Sequence, residues 1–161
     1  MRLEALVEHV GGARLAALVA EADVVVDCSD NAPTRRAVNA ACVAHGTPLV
    51  FGAAIGFDAQ VSTFDPRQPG SPCYACAFPP EAGDADAACA TMGVFAPLVG
   101  IVGSMQAAEA LKAVAGIGRT LVGRLAMLDA RTMEWTELAL ARDPACPVCC
   151  RASAERVGSS P

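Results

Sequence analysis

Asp23 to Cys28 reads D-V-V-V-D-C, and the segment S-D-N-A-P-T, Ser29 to Thr34, follows it directly. A run of β-branched residues is typical of a strand that is buried on both faces of a parallel sheet. In the second segment, Asp30 or Asn31 can cap a helix that carries Pro33 in its first turn. The two segments therefore predict a strand that leads by a short turn into a helix.

The rest of the chain continues this alternation of strands and helices. Besides the helix that runs to about His45, the sequence predicts helices at Ala13–Glu21 and at Pro97–Gly116, the latter long and buried. Further strands are predicted at Leu49–Ile55, Gln60–Phe64, Arg124–Asp129 and Trp135–Leu140. Strands and helices joined by short connections indicate an α/β fold, for which we expect a mixed sheet with flanking helices. The segment 65–86 is predicted to be a loop, and residues 151–161 a disordered tail.

Composition excludes several classes of protein. The chain has 161 residues, of which 53% are hydrophobic and 18% charged, with a net charge of −5, so intrinsic disorder and nucleic-acid binding are not expected. The most apolar stretch, Gly93 to Ala108, contains Pro97 and several glycines. A membrane span needs about 20 uninterrupted apolar residues, so this stretch indicates a core helix and no membrane association. The start of the chain lacks the apolar core of a secretory signal, and we expect a cytoplasmic protein.

Four of the eight cysteines form two C-x-x-C pairs, which we call knuckles: Cys73 with Cys76, and Cys146 with Cys149. Two such pairs supply the four thiolates of a tetrahedral zinc site. Because 69 residues separate Cys76 from Cys146, the site would be a clasp between distant segments rather than a small zinc finger. The alternatives are redox dithiols and inert thiols, and Cys150 leaves the fourth ligand ambiguous.

Three other cysteines lie outside the knuckles. Cys28 and Cys42 fall in a predicted strand and a predicted helix, where buried thiols usually act as small hydrophobic residues. Cys89 lies in the loop before the long helix. A mobile thiol at that position is a candidate nucleophile or persulfide carrier.

The polar residues after the first strand are candidates for ligand binding. Asp30 follows the carboxyl end of a buried strand, where ligands collect in open α/β sheets, and its carboxylate can hold Mg²⁺. The simpler interpretation of Asp30 is a helix cap. Arg35 and Arg36 either contact a phosphate or lie on a solvated helix face. The sequence contains no G-x-G-x-x-G and no Walker motif, so no phosphate-binding loop accompanies this edge.

Five segments appear together in an order that resembles the ThiF/MoeB/HesA family, the bacterial relatives of ubiquitin-activating enzymes. They are V-V-V-D-C-S-D-N (Val24 to Asn31), P-L-V-F-G-A-A-I-G-F (Pro48 to Phe57), C-Y-A-C (Cys73 to Cys76), M-G-V-F-A-P-L-V-G-I-V-G-S-M-Q-A-A-E-A-L-K (Met92 to Lys112) and C-P-V-C (Cys146 to Cys149). The resemblance covers residues 3 to 150 and includes both knuckles.

The resemblance implies a function and a set of site residues. Members of the family use MgATP to adenylate the C-terminal glycine of a ubiquitin-like sulfur-carrier protein, for molybdopterin or thiamine synthesis, and the complete enzyme is expected to be a homodimer. Asp30 matches the catalytic aspartate associated with Mg²⁺, with Asn31 and Arg35 beside it as candidate nucleotide contacts. Cys89 matches a cysteine that links covalently to the carrier in thiamine-type members. The zinc ligands of the family match Cys73, Cys76, Cys146 and Cys149.

The chain also departs from the family pattern. The resemblance places residues 1–150 in the C-terminal half of a Rossmann-like adenylation domain, without the half that carries the glycine-rich loop and the phosphate-binding Arg and Lys. We therefore expect weak or no adenylation by this chain alone. Two other functions stay open: a non-catalytic, zinc-clasped module that docks a carrier or a separate N-terminal half, and a thiol-redox protein.

Overall fold

The computed structural model describes residues 2–79 and 93–150 and contains five strands and four helices within them. Cys89, part of the predicted loop 65–86 and the predicted tail 151–161 lie outside the described residues. The helices are α1 (Gly12–Glu21), α2 (Ala32–His45), α3 (Tyr74–Ala77) and α4 (Ala96–Ala115). The strands are β1 (Val25–Asp27), β2 (Leu49–Ile55), β3 (Asp58–Phe64), β4 (Arg124–Asp129) and β5 (Glu134–Ala139).

The strands form one mixed sheet in the order β1-β2-β3-β4-β5. β1 and β2 are parallel, with Val25 opposite Leu49, and the other neighbours pair antiparallel. The predicted α/β fold with a mixed sheet is therefore confirmed. Since β2 is longer than β1, its second half, Gly52 to Ile55, extends beyond the end of β1 at Asp27.

Helices pack on both faces of the sheet and form two apolar clusters. The first cluster joins α1, α2 and α3 to β2 and β3, with Phe51 and Phe64 among its largest side chains. The second joins α4 to β3 and β4, with Leu98, Val102 and Leu128 at its centre. Successive residues of a strand face opposite sides, which is how β3 contributes to both clusters.

Two predictions about burial were wrong. α4 buries only one face, since Leu111 on its other face is 69% exposed. β1 is not buried on both faces either, because Val26 is 41% exposed and β1 lies at an end of the five-stranded sheet that the described residues form. Apolar composition predicted that these surfaces would be covered, whereas burial depends on whether another element packs against them.

The buried face of α4 carries a polar centre at Glu109. Its Oε2 accepts hydrogen bonds from Thr63 Oγ1 at 2.8 Å and from Leu121 N at 2.7 Å. Glu109 also forms an ion pair with Lys112, three residues further along α4. α4 has the length and the mean hydropathy, 1.3, of a membrane span. However, the hydrogen bonds that Glu109 accepts from Thr63 on β3 and from Leu121 beyond the end of α4 are typical of a core helix.

Candidate functional site

The four cysteines of the two knuckles converge on one point. Cys73 Sγ lies 3.8 Å from Cys76 Sγ and 3.7 Å from Cys146 Sγ, and Cys76 Sγ lies 3.6 Å from Cys149 Sγ. All four sulfurs lie within 4.8 Å of one another. The structure thus brings together residues that are 73 positions apart in the chain, as the clasp prediction requires.

These distances fit a tetrahedral metal ion. Four sulfurs at about 2.3 Å from a zinc ion are separated from one another by about 3.8 Å. A disulfide would instead bring two sulfurs to about 2.05 Å. The donor set is also appropriate, because thiolates favour zinc over hard cations such as Mg²⁺. The four knuckle cysteines therefore fit the predicted zinc ion.

Burial and close neighbours shift the pKa values of three of the four thiols in the cluster. Burial raises the pKa of Cys73 to about 11 and, more strongly, raises the pKa of Cys149, with the neighbouring sulfurs adding to both shifts. Burial works in the same direction at Cys146. There, backbone N–H groups of Cys149 and Val148 hydrogen-bond the sulfur, and its pKa lies below its ordinary value. A bound cation would relieve the repulsion that these groups share.

The other described cysteines divide between buried and exposed. Cys42 is buried as predicted, and burial raises the pKa of its thiol to about 12. Cys28 is exposed, so the prediction that it is a buried residue was wrong. The reason is its position one residue beyond the end of β1, where the chain already leaves the sheet and enters a cleft.

The cleft lies beyond the carboxyl end of β1 and has a volume of about 570 Å³. Its rim is the turn Cys28 to Asn31, together with Arg35 on α2. The rest of the lining comes from β2, from the segment before α4 and from α4 itself, and most of it consists of small residues: Gly52, Ala53, Ala54, Gly93 and Gly103. This is the edge at which open α/β sheets bind ligands.

The side chains at the rim show which residue caps α2. Asn31 is the cap, since its Oδ1 accepts a hydrogen bond of 2.9 Å from Thr34 N. The Asp30 carboxylate is exposed at the rim and accepts a hydrogen bond of 3.3 Å from Asn31 Nδ2. Asp30 therefore does not cap α2, and the simpler of its two interpretations, a helix cap, was wrong.

Arg35 is half-buried and does not lie on a solvated helix face. Its Nη2 donates a hydrogen bond of 2.8 Å to the Ser29 carbonyl, and its guanidinium lies over the Phe51 ring at 5.3 Å. Arg35 therefore fastens the turn that carries Asp30 to the start of α2. The guanidinium adds a positive charge to the cleft wall.

Two buried amides of the site were missed by sequence reasoning. Gln106 on α4 lines the cleft, and Asn39 on α2 contacts the cysteine cluster. Neither stands out in the sequence, because each helix carries several other polar residues, such as Arg36 on α2 and Ser104 on α4. The partners of Gln106 and Asn39 lie 79 and 34 positions away in the sequence, which no local pattern reveals.

Helix α2 connects the cleft and the cysteine cluster. Its first residue follows Asn31 at the cleft rim, while Val43 near its end packs among the cysteines. The fold and the site thus define a class of α/β protein with a ligand cleft at the end of the sheet and a four-cysteine clasp. The chain belongs to the ThiF family, whose sequence profile matches residues 1–148.

Curated relatives match most of this chain but only part of their own lengths. The chain is 46% identical over 137 residues to the molybdopterin-synthase adenylyltransferase of Escherichia coli K12, covering 85% of this chain and 54% of that protein. It is 41% identical over 157 residues to the sulfur carrier protein ThiS adenylyltransferase of the same organism, covering 98% and 61%. A sulfur carrier protein adenylyltransferase of Thermus thermophilus is 50% identical over 131 residues, with 79% and 48% covered. The chain thus spans about half the length of these relatives.

Solved structures share the fold. The crystal structure of E. coli MccB with ATP superposes with a TM-score of 0.70 at 20% identity, covering 89% of this chain and 45% of that one. The crystal structure of E. coli MccB with MccA-N7isoASN superposes with a TM-score of 0.71 at 19% identity, covering 90% and 45%. At these identities the likeness concerns the fold alone.

Proposed function

We propose that this chain takes part in the ATP-dependent adenylation of the C-terminal glycine of a ubiquitin-like sulfur-carrier protein. The observation that carries the proposal is the cleft at the end of β1, with the Asp30 carboxylate at its rim and small residues in most of the remaining lining. Family membership and relatives named as sulfur-carrier adenylyltransferases support it. The product would serve molybdopterin or thiamine biosynthesis, and the chain would act in the cytoplasm.

The reaction joins two anionic groups. A carboxylate oxygen of the carrier attacks the α-phosphorus of ATP, a new O–P bond forms, and the bond to the departing pyrophosphate breaks. Mg²⁺, when bound, neutralises charge on the phosphates as it builds up. Asp30 would hold that ion at the rim. Asn31 and Arg35 would contact the nucleotide, and the small side chains of Ala53 and Ala54 on β2 would leave room for an extended glycine tail.

The cysteines have separate roles in the proposal. Cys73, Cys76, Cys146 and Cys149 would hold a structural zinc ion that joins the two knuckles. Cys89, outside the described residues, is proposed as a thiol that attacks the acyl-adenylate of the carrier, forming a thioester bond as AMP departs. The close packing of thiols also suits a thiol-redox protein, but a metal that engages all four sulfurs leaves none of them available for exchange.

Residues 1–150 would form the C-terminal part of a larger adenylation domain. The sequence contains no G-x-G-x-x-G, and its single lysine, Lys112, is paired with Glu109 on α4 rather than placed at the cleft. Other groups would therefore have to grip the phosphates, and we expect little or no exchange by this chain alone. The complete enzyme is proposed to be a homodimer.

The test is ATP–pyrophosphate exchange with a carrier that ends in Gly-Gly. We expect little exchange from this chain alone and measurable exchange when a family N-terminal half with a glycine-rich loop is added. Asp30→Asn should then abolish the restored exchange, while Asp58→Asn, an exposed control, should not. Rapid exchange by the chain alone would contradict the proposal that it is only part of an adenylation domain. Full exchange by the Asp30→Asn variant would contradict the proposed role of Asp30.

A second candidate function is a non-catalytic binding module. The exposed apolar residues on β1 and on the outer face of α4, such as Val26 and Leu111, favour it because such surfaces commonly mediate association. The module would dock a carrier or a separate N-terminal half. Co-purification with either partner, without exchange activity in their presence, would favour this function over adenylation.

A further inference from the structure

Asn39 lies in the middle of α2 and is 1% exposed. Its Oδ1 accepts a hydrogen bond of 3.0 Å from Tyr74 N, and its Nδ2 lies 3.8 Å from Cys73 Sγ. The first contact fixes the orientation of the amide, because a backbone N–H can only donate and must face the oxygen. The side-chain nitrogen therefore faces the sulfur, and both ends of the amide hold the first knuckle.

A cluster that holds a metal ion requires hydrogen-bond donors near its sulfurs, such as the side-chain nitrogen of Asn39. Four thiolates around one divalent cation sum to a charge of −2, in a cluster whose cysteines are mostly buried. Buried charge is tolerated when hydrogen-bond donors surround it. At the second knuckle, backbone N–H groups of Val148 and Cys149 hydrogen-bond Cys146, and Arg142 Nη2 donates a hydrogen bond of 2.9 Å to the Cys149 carbonyl.

We propose that Asn39 is a positioning residue of the metal centre: its Nδ2 donates to the Cys73 thiolate, offsets part of the cluster's charge and strengthens metal retention. The inference rests on the metal centre proposed above. It makes α2 a direct support of the clasp as well as of the cleft rim. Residues in this outer layer typically alter metal affinity by about 10- to 100-fold when they are replaced.

The test replaces zinc with Co²⁺ in the full chain, because thiolate-to-cobalt charge-transfer bands report the electron density on the sulfurs. Asn39→Leu removes both polar contacts. Asn39→Asp keeps an acceptor for Tyr74 N and, measured at pH 8, replaces the donor with a carboxylate. We expect both variants to shift the charge-transfer bands to longer wavelength and to speed metal transfer to a chelator by about tenfold or more.

A matched control separates this role from simple loss of stability. Thr47 is buried just after α2, and its Oγ1 donates a hydrogen bond of 3.0 Å to the Val19 carbonyl, away from the cysteines. Thr47→Val should destabilise the fold while leaving the bands and the release rate unchanged. Wild-type bands and rates in both Asn39 variants, or equal changes in Thr47→Val, would overturn the role of Asn39. Absence of thiolate–cobalt bands in the wild-type chain would overturn the metal centre itself, and this inference with it.

Discussion

Gln106 Nε2 on α4 donates a hydrogen bond of 2.7 Å to the Asp27 carbonyl at the end of β1. The Gln106 side chain crosses β2 where Gly52 leaves room for it, and its Oε1 accepts a long contact of 3.8 Å from Cys28 Sγ. α4 therefore holds the strand end from which the cleft rim begins. This contact requires a residue without a side chain at position 52.

Replacement of Gly52 by alanine should disturb this contact. The added Cβ would lie 2.6 Å from Gln106 Oε1 and 2.7 Å from its Nε2, so the buried amide would have to move. We expect Gly52→Ala to lower the free energy of unfolding by about 1–3 kcal/mol, measured by urea denaturation. In a double-mutant cycle, Gly52→Ala with Gln106→Ala should cost less than the sum of the single variants. Strict additivity would show that the clash does not occur.

Glu109 should be among the most sensitive polar residues of the described core. Glu109→Leu leaves the buried donors of Thr63 and Leu121 without their acceptor, and each orphaned group costs about 1–3 kcal/mol. Glu109→Gln keeps an oxygen acceptor and loses mainly the ion pair with Lys112. We expect a loss of about 3 kcal/mol or more for the leucine variant and about 1 kcal/mol for the glutamine variant, by denaturant unfolding.

Lys112→Met is the control for Glu109, because it breaks the same ion pair while the Glu109 carboxylate keeps both of its donors. Its effect should exceed that of Glu109→Gln, because the buried carboxylate stays charged without its partner and the hydrogen bond from Lys112 Nζ to the Arg119 carbonyl is lost. A leucine variant that is no less stable than Lys112→Met would contradict the importance of the two hydrogen bonds.

Met133 offers a stabilising substitution. It lies in the turn between β4 and β5 with a φ of 60°, a conformation that is costly for residues with a Cβ. Met133→Gly should raise the free energy of unfolding by about 0.5–1 kcal/mol, as a shift of the urea midpoint. Met133→Ala keeps the Cβ and should bring no such gain. Equal stabilities of Met133→Gly and Met133→Ala would show that the positive φ at position 133 does not destabilise the fold.

Metal content should depend on the knuckle cysteines and not on their neighbour. The purified chain is expected to contain about one zinc ion, measured by elemental analysis. Cys73→Ser should lose it and lower the melting temperature, as should a strong chelator added to the wild-type chain. Cys150→Ser is the control, because Cys150 lies next to Cys149 but outside the group of four converging sulfurs. Loss of zinc from both variants alike would argue against the assigned ligand set.

Asp65 should make stability depend on pH in the acidic range. Burial works to raise the pKa of its carboxyl, but hydrogen bonds from Arg67 outweigh burial and the pKa lies below its ordinary value. A depressed native pKa contributes stability above the unfolded-state pKa of about 3.9, and this contribution is lost as the pH falls through the native value. Asp65→Asn should therefore be less stable than the wild-type chain at pH 7, and the difference should shrink below about pH 4.

Asp58→Asn, which changes an exposed carboxyl with a surface ion pair, is the control for Asp65 and should change the melting temperature little. Thermal melts over the range from pH 3 to about 7 provide the measurement. A difference for Asp65→Asn that persists unchanged at the acidic end would mean that its charge is not what stabilises the fold.

Local patterns in the sequence were sufficient for most elements. β2 and β4 match their predicted bounds, Leu49–Ile55 and Arg124–Asp129, because short apolar runs there end at clear breaks in the pattern. The four knuckle cysteines were also predictable, since C-x-x-C spacing is itself local. Burial of α4 and of Cys28 was not, because it depends on which surfaces another element covers.

The residues at the rim of the candidate site could be predicted from the sequence, but the buried amides that hold the site in place could not. Asp30, Asn31 and Arg35 follow a recognisable strand, and the structure places all three at the cleft. Their proposed ligand contacts stay predictions. The amides of Gln106 and Asn39 act on backbone and sulfur atoms far away in the sequence, so only the folded chain shows what they do.

The convergence of the two knuckles has a consequence for the topology of the chain. A metal bound to all four sulfurs closes a covalent-like ring through the 69 residues between Cys76 and Cys146. A cross-link around a loop of this length restricts the unfolded ensemble by an amount worth about 4 kcal/mol. A single cut in the backbone anywhere within that ring would leave two fragments that the ion still tethers.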